Sequence, residues 1–284
     1  MILPTTAVRT IKLPSGDVVP ALGQGTWHMA EHPQRRQQEI RALRSGLDLG
    51  MTLIDTAEMY ADGGAEELVG DAIAGRRHDV FLVSKVLPEN ATRRGTIAAC
   101  ARSLRRLRTN WLDAYLLHWR GQVPLEETIA AFEALVDTGN IRRWGVSNFD
   151  ISDMQELVEI SGGEGVTTDQ VLYNLTRRGI EYDLLPWCRE QRIPIMAYSP
   201  IEQGRMLGHP QLIKIAALHG ATPSQVALAW VLRQEGVIAI PKAGKPEHVR
   251  ENRAALELRL ERQDLVELDR AFPPPTGPVP LEML

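Results

Sequence analysis

The sequence has little cysteine and no long hydrophobic run. Its two cysteines, Cys100 and Cys188, lie far apart and form no CxxC pair, so we expect a reduced, cytoplasmic protein rather than a disulfide-stabilised one. No apolar stretch approaches the ~18 residues that a membrane span requires. The N-terminal stretch MILPTTAVRTIKLP lacks the charged start and apolar core of a secretory signal. We therefore expect neither secretion nor a membrane partner.

Excess positive charge and clustered metal ligands are also missing. The net charge is -4 and no long basic run occurs, so no nucleic-acid partner is expected. The seven histidines are scattered without ligand spacing, so no metal site is expected. The 284 residues are 44% hydrophobic, which is enough for a large core. No Gly/Ser linker divides the chain, and we expect a single domain over residues 1–284, acting as a monomer.

What is present is an alternation of short apolar runs with longer segments of helical spacing. TIKLPSGDVVPALG predicts a hairpin with Ser15-Gly16-Asp17 as its turn. PALGQG is the first candidate strand of a series. The others are TLID (52–55), VFLVSK (80–85), DAYLLH (113–118), RRWGVSN (142–148), VTTDQ (166–170), PIMAYS (194–199) and VIAIPK (237–242). Segments 35–50, 92–108 and 222–236 carry helical spacing or capping signals.

This order predicts an α/β fold, a (β/α)8 TIM barrel with an N-terminal β-hairpin. Each crossover helix returns the chain to the same end of the sheet, so the strands run parallel. Eight such units in one domain of this length are typical of the barrel. A doubly wound open sheet is the alternative, and it would place a G-x-G-x-x-G turn before a helix. GQGTWH has two of those three glycines and leads into MAEHP, which favours the barrel.

Polar side chains stand at the ends of three successive predicted strands. Asp55 ends the second strand, with Tyr60 in the loop that follows, and Lys85 and His118 end the third and fourth. The carboxyl ends of barrel strands share one face, so we expect these four side chains in one cleft. Each has a structural explanation when taken alone, as a helix cap, a packed phenol, a solvated lysine or a core histidine. Their coincidence at one edge favours a functional site.

The four residues suit proton donation to a carbonyl oxygen. A phenol has a pKa of about 10 and is a poor acid unless a nearby cation stabilises its phenolate. Lys85 can supply that cation, Asp55 can hold it, and His118 can orient the oxygen. Reduction of the carbonyl also needs a hydride donor. Groups suited to a nicotinamide nucleotide stand at the remaining strand ends and beside the last helix start: Ser147, Asn148, Gln170, Tyr198, Lys242, Lys245 and Asn252.

Several motifs together resemble the aldo-keto reductase superfamily, from about residue 10 to residue 272. They are GQGTW, LIDTAEMYADGGAEELVGDAI, VFLVSK, DAYLLHW, RRWGVSNFD, DQVLYNL, MAYSP and IPKAGKPEHVREN. The combination of IDTAxxY, LLHW and GVSNF in this order is highly specific. With AEMYADGGAE and GIEYDLLPWC, the chain most resembles the bacterial methylglyoxal reductase type.

The resemblance implies an NADPH-dependent oxidoreductase that reduces small aldehydes and 2-oxoaldehydes, with Tyr60 as proton donor. The implied catalytic tetrad is Asp55, Tyr60, Lys85 and His118. The implied cofactor site comprises Gly25, Thr26, Trp27, Asp55, Ser147, Asn148, Gln170, Tyr198, Ser199, Ile201, Lys242, His248, Glu251 and Asn252. The implied substrate contacts are Trp27, Tyr60, His118 and Trp119.

The chain departs from the family pattern at the expected phosphate site. Ala243 and His248 stand where the family often has Ser and Arg. A neutral His cannot clamp a phosphate bidentately as Arg does. Lys242 and Lys245 remain, so we expect NADPH to be preferred, with reduced discrimination against NADH. The loop after His118 and the tail after Phe272 are short, so we expect little material to wall the pocket.

Two alternative functions stay open. One is a reductase of keto-sugars or other ketones that uses the same tetrad. The other is a non-catalytic nucleotide-sensing barrel, which would have no reason to keep the tetrad.

Overall fold

The N-terminal hairpin is present as predicted. A computed structural model describes residues 7–284, and the first six residues of the expected domain lie outside it. Strands β1 (Thr10–Lys12) and β2 (Val18–Pro20) pair in antiparallel fashion. Gly16 in the turn has a φ of +90°, a conformation that glycine adopts without strain. Asp17 of the same turn pairs with Arg143 at 2.5 Å, which fixes the hairpin to the rest of the chain.

Eight parallel strands form one sheet in sequential order. They are β3 (Gln24–Gly25), β4 (Leu53–Asp55), β5 (Phe81–Val86), β6 (Ala114–Leu117), β7 (Trp144–Ser147), β8 (Val166–Leu172), β9 (Ile195–Tyr198) and β10 (Val237–Ala239). Parallel bridges between Leu22 and Ala239 and between Gly25 and Lys242 join the two edges. The sheet therefore closes on itself, which confirms the predicted barrel.

Helices connect the strands around the outside of this sheet. Their bounds are α1 (Arg36–Asp48), α2 (Gly64–Ile73), α3 (Arg93–Leu107), α4 (Leu125–Asp137), α5 (Ile151–Glu159), α6 (Leu184–Glu190), α7 (Pro210–Leu218), α8 (Pro223–Leu232), α9 (Pro246–Ala254) and α10 (Arg262–Ala271). The Thr222 hydroxyl accepts a hydrogen bond from Gln225 N over 3.2 Å, and Pro223 follows. The predicted start of α8 is thus confirmed.

Two strands end two or three residues away from the predicted position, and the other strand ends lie within one residue of it. β10 ends at Ala239 rather than at Lys242, because Pro241 has no N–H to continue a ladder. β8 continues past Gln170 to Leu172, which pairs with Tyr198. Asp169 and Gln170, which were expected at the end of this strand, therefore lie inside it.

Successive residues of β8 point to opposite faces of the sheet. The Gln170 side chain reaches Asp55 inside the barrel, so Asp169 points outward, where it is fully buried near Cys188 of α6. Neither carboxyl oxygen of Asp169 has a normal hydrogen bond within residues 7–284. Burial raises the pKa of this carboxyl well above its usual value, because the charged form is disfavoured there.

We expect Asp169→Asn to change how stability depends on pH. A raised pKa in the folded state means that folding takes up a proton, so wild-type stability falls as pH rises above the unfolded value of about 3.9. Asparagine does not titrate, so from pH 4 to pH 8 the variant should gain at least about 1 kcal/mol over wild type. Urea unfolding at both pH values measures this difference. The matched control is Asp137→Asn at an exposed position, and equal pH dependence in both variants would contradict the assignment.

Within the described residues, no single helix is both long and apolar enough to cross a membrane. Helices α7 and α8 together reach that length and apolarity, but they are bent by 88°.

Candidate active site

A cleft of about 670 Å³ opens at the carboxyl ends of the barrel strands. Most of the residues expected at a nucleotide and carbonyl site line it: Gly25, Trp27, Asp55, Tyr60, His118, Trp119, Ser147, Asn148, Gln170, Tyr198, Ser199, Ile201, Lys242 and His248. Residues separated by nearly the whole chain thus meet at one edge of the sheet, as a parallel barrel requires.

Lys85 lies beneath the floor of this cleft, with its side chain 0% exposed. Its ammonium is 2.8 Å from Asp55 Oδ1, and it donates to Thr56 O over 3.0 Å and to Tyr60 Oη over 3.1 Å. All three donors of the ammonium therefore have partners. The buried charge is compensated by Asp55, and the phenol of Tyr60 is the group that faces the cleft.

Local contacts hold Tyr60 in this place. Thr26 donates its hydroxyl to Asp55 O over 2.9 Å and so supports the end of β4. Glu58 N donates to Lys85 O over 3.3 Å, and Glu58 Oε1 accepts from Leu87 N over 2.9 Å. These bonds tie the loop that carries Tyr60 to the strand that carries Lys85, which limits changes in the distance between the two side chains.

The pKa values of the phenol and the ammonium depend on each other. Burial raises the pKa of Tyr60, and the neighbouring Lys85 ammonium offsets part of that rise. Burial alone would lower the pKa of Lys85, but Asp55 and Tyr60 outweigh it, and the net shift is upward. Lys85 is therefore charged over the whole physiological pH range, and it makes Tyr60 a stronger acid than burial alone would allow.

His118 is neutral in this site. Burial and the nearby Lys85 charge lower its pKa from 6.5 to about 2. Its ring centroid lies 5.7 Å from that of Tyr60 and 4.9 Å from that of Trp119. Nδ1 has no hydrogen-bond partner within residues 7–284. A neutral imidazole can donate one N–H to an oxygen beside the Tyr60 phenol, without competing with it as an acid.

Polar and aromatic side chains converge on the other side of the tetrad. Asn148 has a φ of +58°, and its amide donates to His118 O over 3.0 Å and to Ser147 Oγ over 3.2 Å. Tyr198 Oη donates to Asn148 Oδ1 over 2.9 Å. Gln170 Nε2 donates to Asp55 Oδ1 over 2.8 Å. This side of the cleft presents oriented amide and hydroxyl groups next to a phenol ring.

A lysine and a histidine stand among the lining residues of the cleft. Lys242 and His248 both line it, and both are exposed. Gly25 lies so close to the opposite edge that a Cβ there would be 2.7 Å from Ile240 O, so a side chain would push the edges apart. Four residues expected at the cofactor do not line the cleft: Thr26, Lys245, Glu251 and Asn252.

The cleft also has lining residues that the sequence reading missed: His28, Met59, Pro200, Gln203, Gly204, Ile240, Pro241, Met283 and Leu284. His28 follows Trp27 directly in the sequence, and this position could have identified it as a lining residue. Its ring stacks on Trp27 with centroids 4.4 Å apart and bonds Glu31 at 2.6 Å. Met283 and Leu284 belong to the tail after Phe272, so the expectation that this tail adds little to the pocket wall was wrong.

The described residues offer no cluster of side chains that would bind a metal ion. Across residues 7–284, no three His, Cys, Asp or Glu side chains are grouped so as to hold a metal ion. The chemistry that the described groups support is proton donation from Tyr60, assisted by a buried cation and a neutral imidazole.

Comparison with known proteins places these features in a family. A family model described as "Aldo/keto reductase family" matches residues 21–272. Methylglyoxal reductase YeaE of Escherichia coli (strain K12) is 55% identical over 276 residues, which are 95% of this chain and 97% of that protein. Glyoxal reductase of Bacillus subtilis (strain 168) is 32% identical over 286 residues, which are 99% of this chain and 100% of that protein.

Solved structures agree with this match. The crystal structure of an aldo-keto reductase from Klebsiella pneumoniae in complex with NADPH is similar with a TM-score of 0.96 and 53% identity. The alignment covers 98% of this chain and 100% of that one.

Proposed function

Since the chain belongs to the aldo/keto reductase family, we propose that it reduces the carbonyl of small aldehydes and 2-oxoaldehydes such as methylglyoxal, with NADPH as the reductant. The observation that carries the proposal is the 3.1 Å contact between Tyr60 Oη and the buried Lys85 ammonium at the floor of the cleft. The relatives described as methylglyoxal and glyoxal reductases support the substrate class.

The residues of the cleft fit NADPH. Oriented amides at one end can bind the carboxamide of a nicotinamide, and the Tyr198 ring offers a face for stacking. At the other end, the Lys242 ammonium matches the negative charge of the 2′-phosphate, and the His248 ring can donate an N–H to it. We assign Ser147, Asn148, Gln170 and Tyr198 to the nicotinamide and Lys242 with His248 to the phosphate. When bound, the cofactor supplies the hydride.

The chain's own residues supply the proton and the orientation. The carbonyl oxygen lies near Tyr60 Oη and a neutral His118 N–H, which orient it together. As negative charge develops on that oxygen, Tyr60 transfers its proton to it. The Lys85 ammonium stabilises the phenolate that remains, and Asp55 keeps the ammonium in place. Trp27, Met59, Trp119 and Leu284 line the cleft, and their apolar surfaces exclude part of the water.

A turnover screen tests the proposal. Purified protein is assayed with methylglyoxal, glyoxal, 4-nitrobenzaldehyde and a keto-sugar, each with NADPH and with NADH, by following cofactor oxidation. We expect the highest kcat/KM for the aldehydes with NADPH. A preference for the keto-sugar would favour the ketone alternative, and cofactor binding without turnover on any carbonyl would favour a nucleotide-sensing barrel. A preparation of Tyr60→Phe controls for contaminating reductases.

His248→Arg is expected to strengthen the preference for NADPH. Arg can bind the 2′-phosphate bidentately with charge-assisted bonds, which a neutral imidazole cannot. The preference for NADPH over NADH should rise by about 1–2 kcal/mol, or roughly tenfold. Tryptophan fluorescence titration with both cofactors measures it. The control is His32→Arg at an exposed position outside the cleft. Equal gains for both cofactors would place His248 away from the phosphate.

The oligomeric state and compartment complete the proposal. We expect a monomer. We expect a cytoplasmic location, since Cys100 and Cys188 are both free and buried.

A further inference from the structure

The C-terminal segment (273–284) is held by consecutive residues of the loop after β8. At its start, Arg178 Nη1 donates to Phe272 O over 2.6 Å. In its middle, Val279 lies against Gly179 so closely that a Cβ on this glycine would be 2.6 Å from Val279 Cγ2. The side chain of Arg178 is 7% exposed. The loop therefore fixes the path of the segment along the barrel rim.

Arg177 makes a third contact, near the end of the segment. Its Nη1 pairs with Glu282 Oε1 at 2.5 Å. The next two residues, Met283 and Leu284, line the cleft. Five of the twelve residues from 273 to 284 are proline, which restricts the backbone of the segment. The pair at Glu282 therefore helps to hold Met283 and Leu284 at the cleft. The backbone of Leu284 also bonds the hydroxyl of Tyr198.

The same guanidinium also reaches the loop 199–204 on the cofactor side of the cleft. Arg177 Nη2 and Nε are 3.2 Å and 3.3 Å from Glu202 Oε1. Glu202 Oε2 accepts from Asn174 Nδ2 over 2.8 Å, and the same amide donates to Ser199 O over 2.9 Å. The side chain of Glu202 is 6% exposed. A nearly buried carboxylate thus links the two loops.

Loop 199–204 needs such support, because its backbone is strained. Ser199, Glu202 and Gln203 have φ values of +46°, +50° and +54°. Non-glycine residues in this region cost roughly 1–3 kcal/mol each and persist where surrounding contacts hold them. Burial would raise the pKa of Glu202, but its bonds to Arg205, Asn174 and Arg177 outweigh burial and lower it. The carboxylate is therefore charged and able to hold the loop.

We propose that Arg177 is a positioning residue. Its single guanidinium joins the C-terminal segment (273–284), through Glu282, to the loop 199–204, through Glu202. This inference rests on the proposed function, since it assigns the C-terminal segment to the aldehyde and the loop 199–204 to NADPH. Within residues 7–284, the Glu282 side chain reaches loop 199–204 through Arg177, whereas Leu284 contacts Tyr198 separately. Neutralising Glu282 should therefore weaken NADPH binding, although Glu282 itself does not line the cleft.

The primary test is an NADPH titration by tryptophan fluorescence, which needs no turnover. Arg177→Met should raise the Kd for NADPH about fivefold, and Glu282→Gln about twofold, as suits partly exposed ion pairs. The double variant should bind no more weakly than Arg177→Met, because the pathway is already broken. Arg177→Lys keeps the charge and should restore part of the affinity. Glu267→Gln, which breaks the surface pair with Lys214, is the matched control and should leave the Kd unchanged.

A second measurement, the KM for two aldehydes, separates an effect on the C-terminal segment from an effect on the loop 199–204. Arg177→Met and Glu282→Gln should raise KM for 4-nitrobenzaldehyde more than for methylglyoxal, with kcat nearly unchanged. Arg205→Met breaks a pair with Glu202 and should affect the Kd for NADPH without changing KM for either aldehyde.

Two outcomes would overturn the proposal. One is an unchanged NADPH Kd in Glu282→Gln. The other is an Arg177→Met variant that lowers Tm but leaves Kd and KM at wild-type values, as a purely structural residue would. A wild-type protein that binds NADPH and reduces no aldehyde would instead refute the proposed function and leave the titrations as a test of the link.

Discussion

Tyr60→Phe is expected to lower kcat for aldehyde reduction by about 10²–10⁴-fold, the usual contribution of general acid catalysis. The phenol contacts the buried ammonium of Lys85, and no other acid of the tetrad can replace it. Lys85 lies beneath the cleft floor, and His118 is neutral because its pKa is lowered to about 2. NADPH affinity should be nearly unchanged, since only one oxygen is removed.

The experiment pairs single-turnover kinetics with an NADPH titration, so that chemistry is separated from binding. Tyr182→Phe removes the hydroxyl of a tyrosine that is 48% exposed and outside the cleft, and it should retain full activity. If Tyr60→Phe kept more than about a tenth of the wild-type rate of the chemical step, the proton donor would have to be another group.

Lys85→Met is expected to be about as damaging as Tyr60→Phe, although the ammonium need not touch the substrate. Without the cation, burial raises the pKa of Tyr60 further, since Lys85 is what offsets it. Any remaining activity should therefore persist to higher pH than in wild type. The double variant with Tyr60→Phe should cost little more than either change alone, because residues that act as a unit are not additive.

Removing Lys85 alone would leave Asp55 as an unpaired charge in a buried site, which typically costs about 3–5 kcal/mol of stability. Asp55→Asn/Lys85→Met removes both charges, and it keeps the test informative if the single variant does not fold. Lys214→Met, at a lysine whose side chain is 58% exposed, is the control. Losses that multiply in the Tyr60→Phe/Lys85→Met variant would show that the two residues act separately.

The barrel and the gathering of polar strand ends were accessible from the sequence. Strands that are buried on both sides read as short apolar runs, and the crossovers between them leave little freedom in topology. Asp55, Lys85 and His118 could be placed because each directly follows or ends such a run. Because the carboxyl ends of parallel strands lie at one edge of the sheet, the side chains at these positions were expected to contact one another.

Other features depended on information that is not local. A polar pair such as Asp169-Gln170 does not reveal which member faces the barrel interior, and the structure shows Gln170 inside and Asp169 outside. Met283 and Leu284 reach the cleft at the end of a segment that is anchored by the pair of Glu282 with Arg177, more than a hundred positions away. Neither the length of the tail nor its composition indicates that anchor.

The closure between β3 and β10 is a weaker seam of the barrel than the pairing of β5 with β6. Its backbone bonds include Gly23 N to Ala239 O at 2.8 Å and Gly25 N to Pro241 O at 3.1 Å, whereas β5 and β6 pair along four residues. Local openings that break few bonds occur most often, so the amides of Gly23 and Gly25 should exchange with deuterium sooner than those of β5. Lys242 follows this seam directly, and a ligand held there disfavours the open form. Exchange at two glycine amides thus becomes a solution reporter of whether the phosphate end of the cleft is filled.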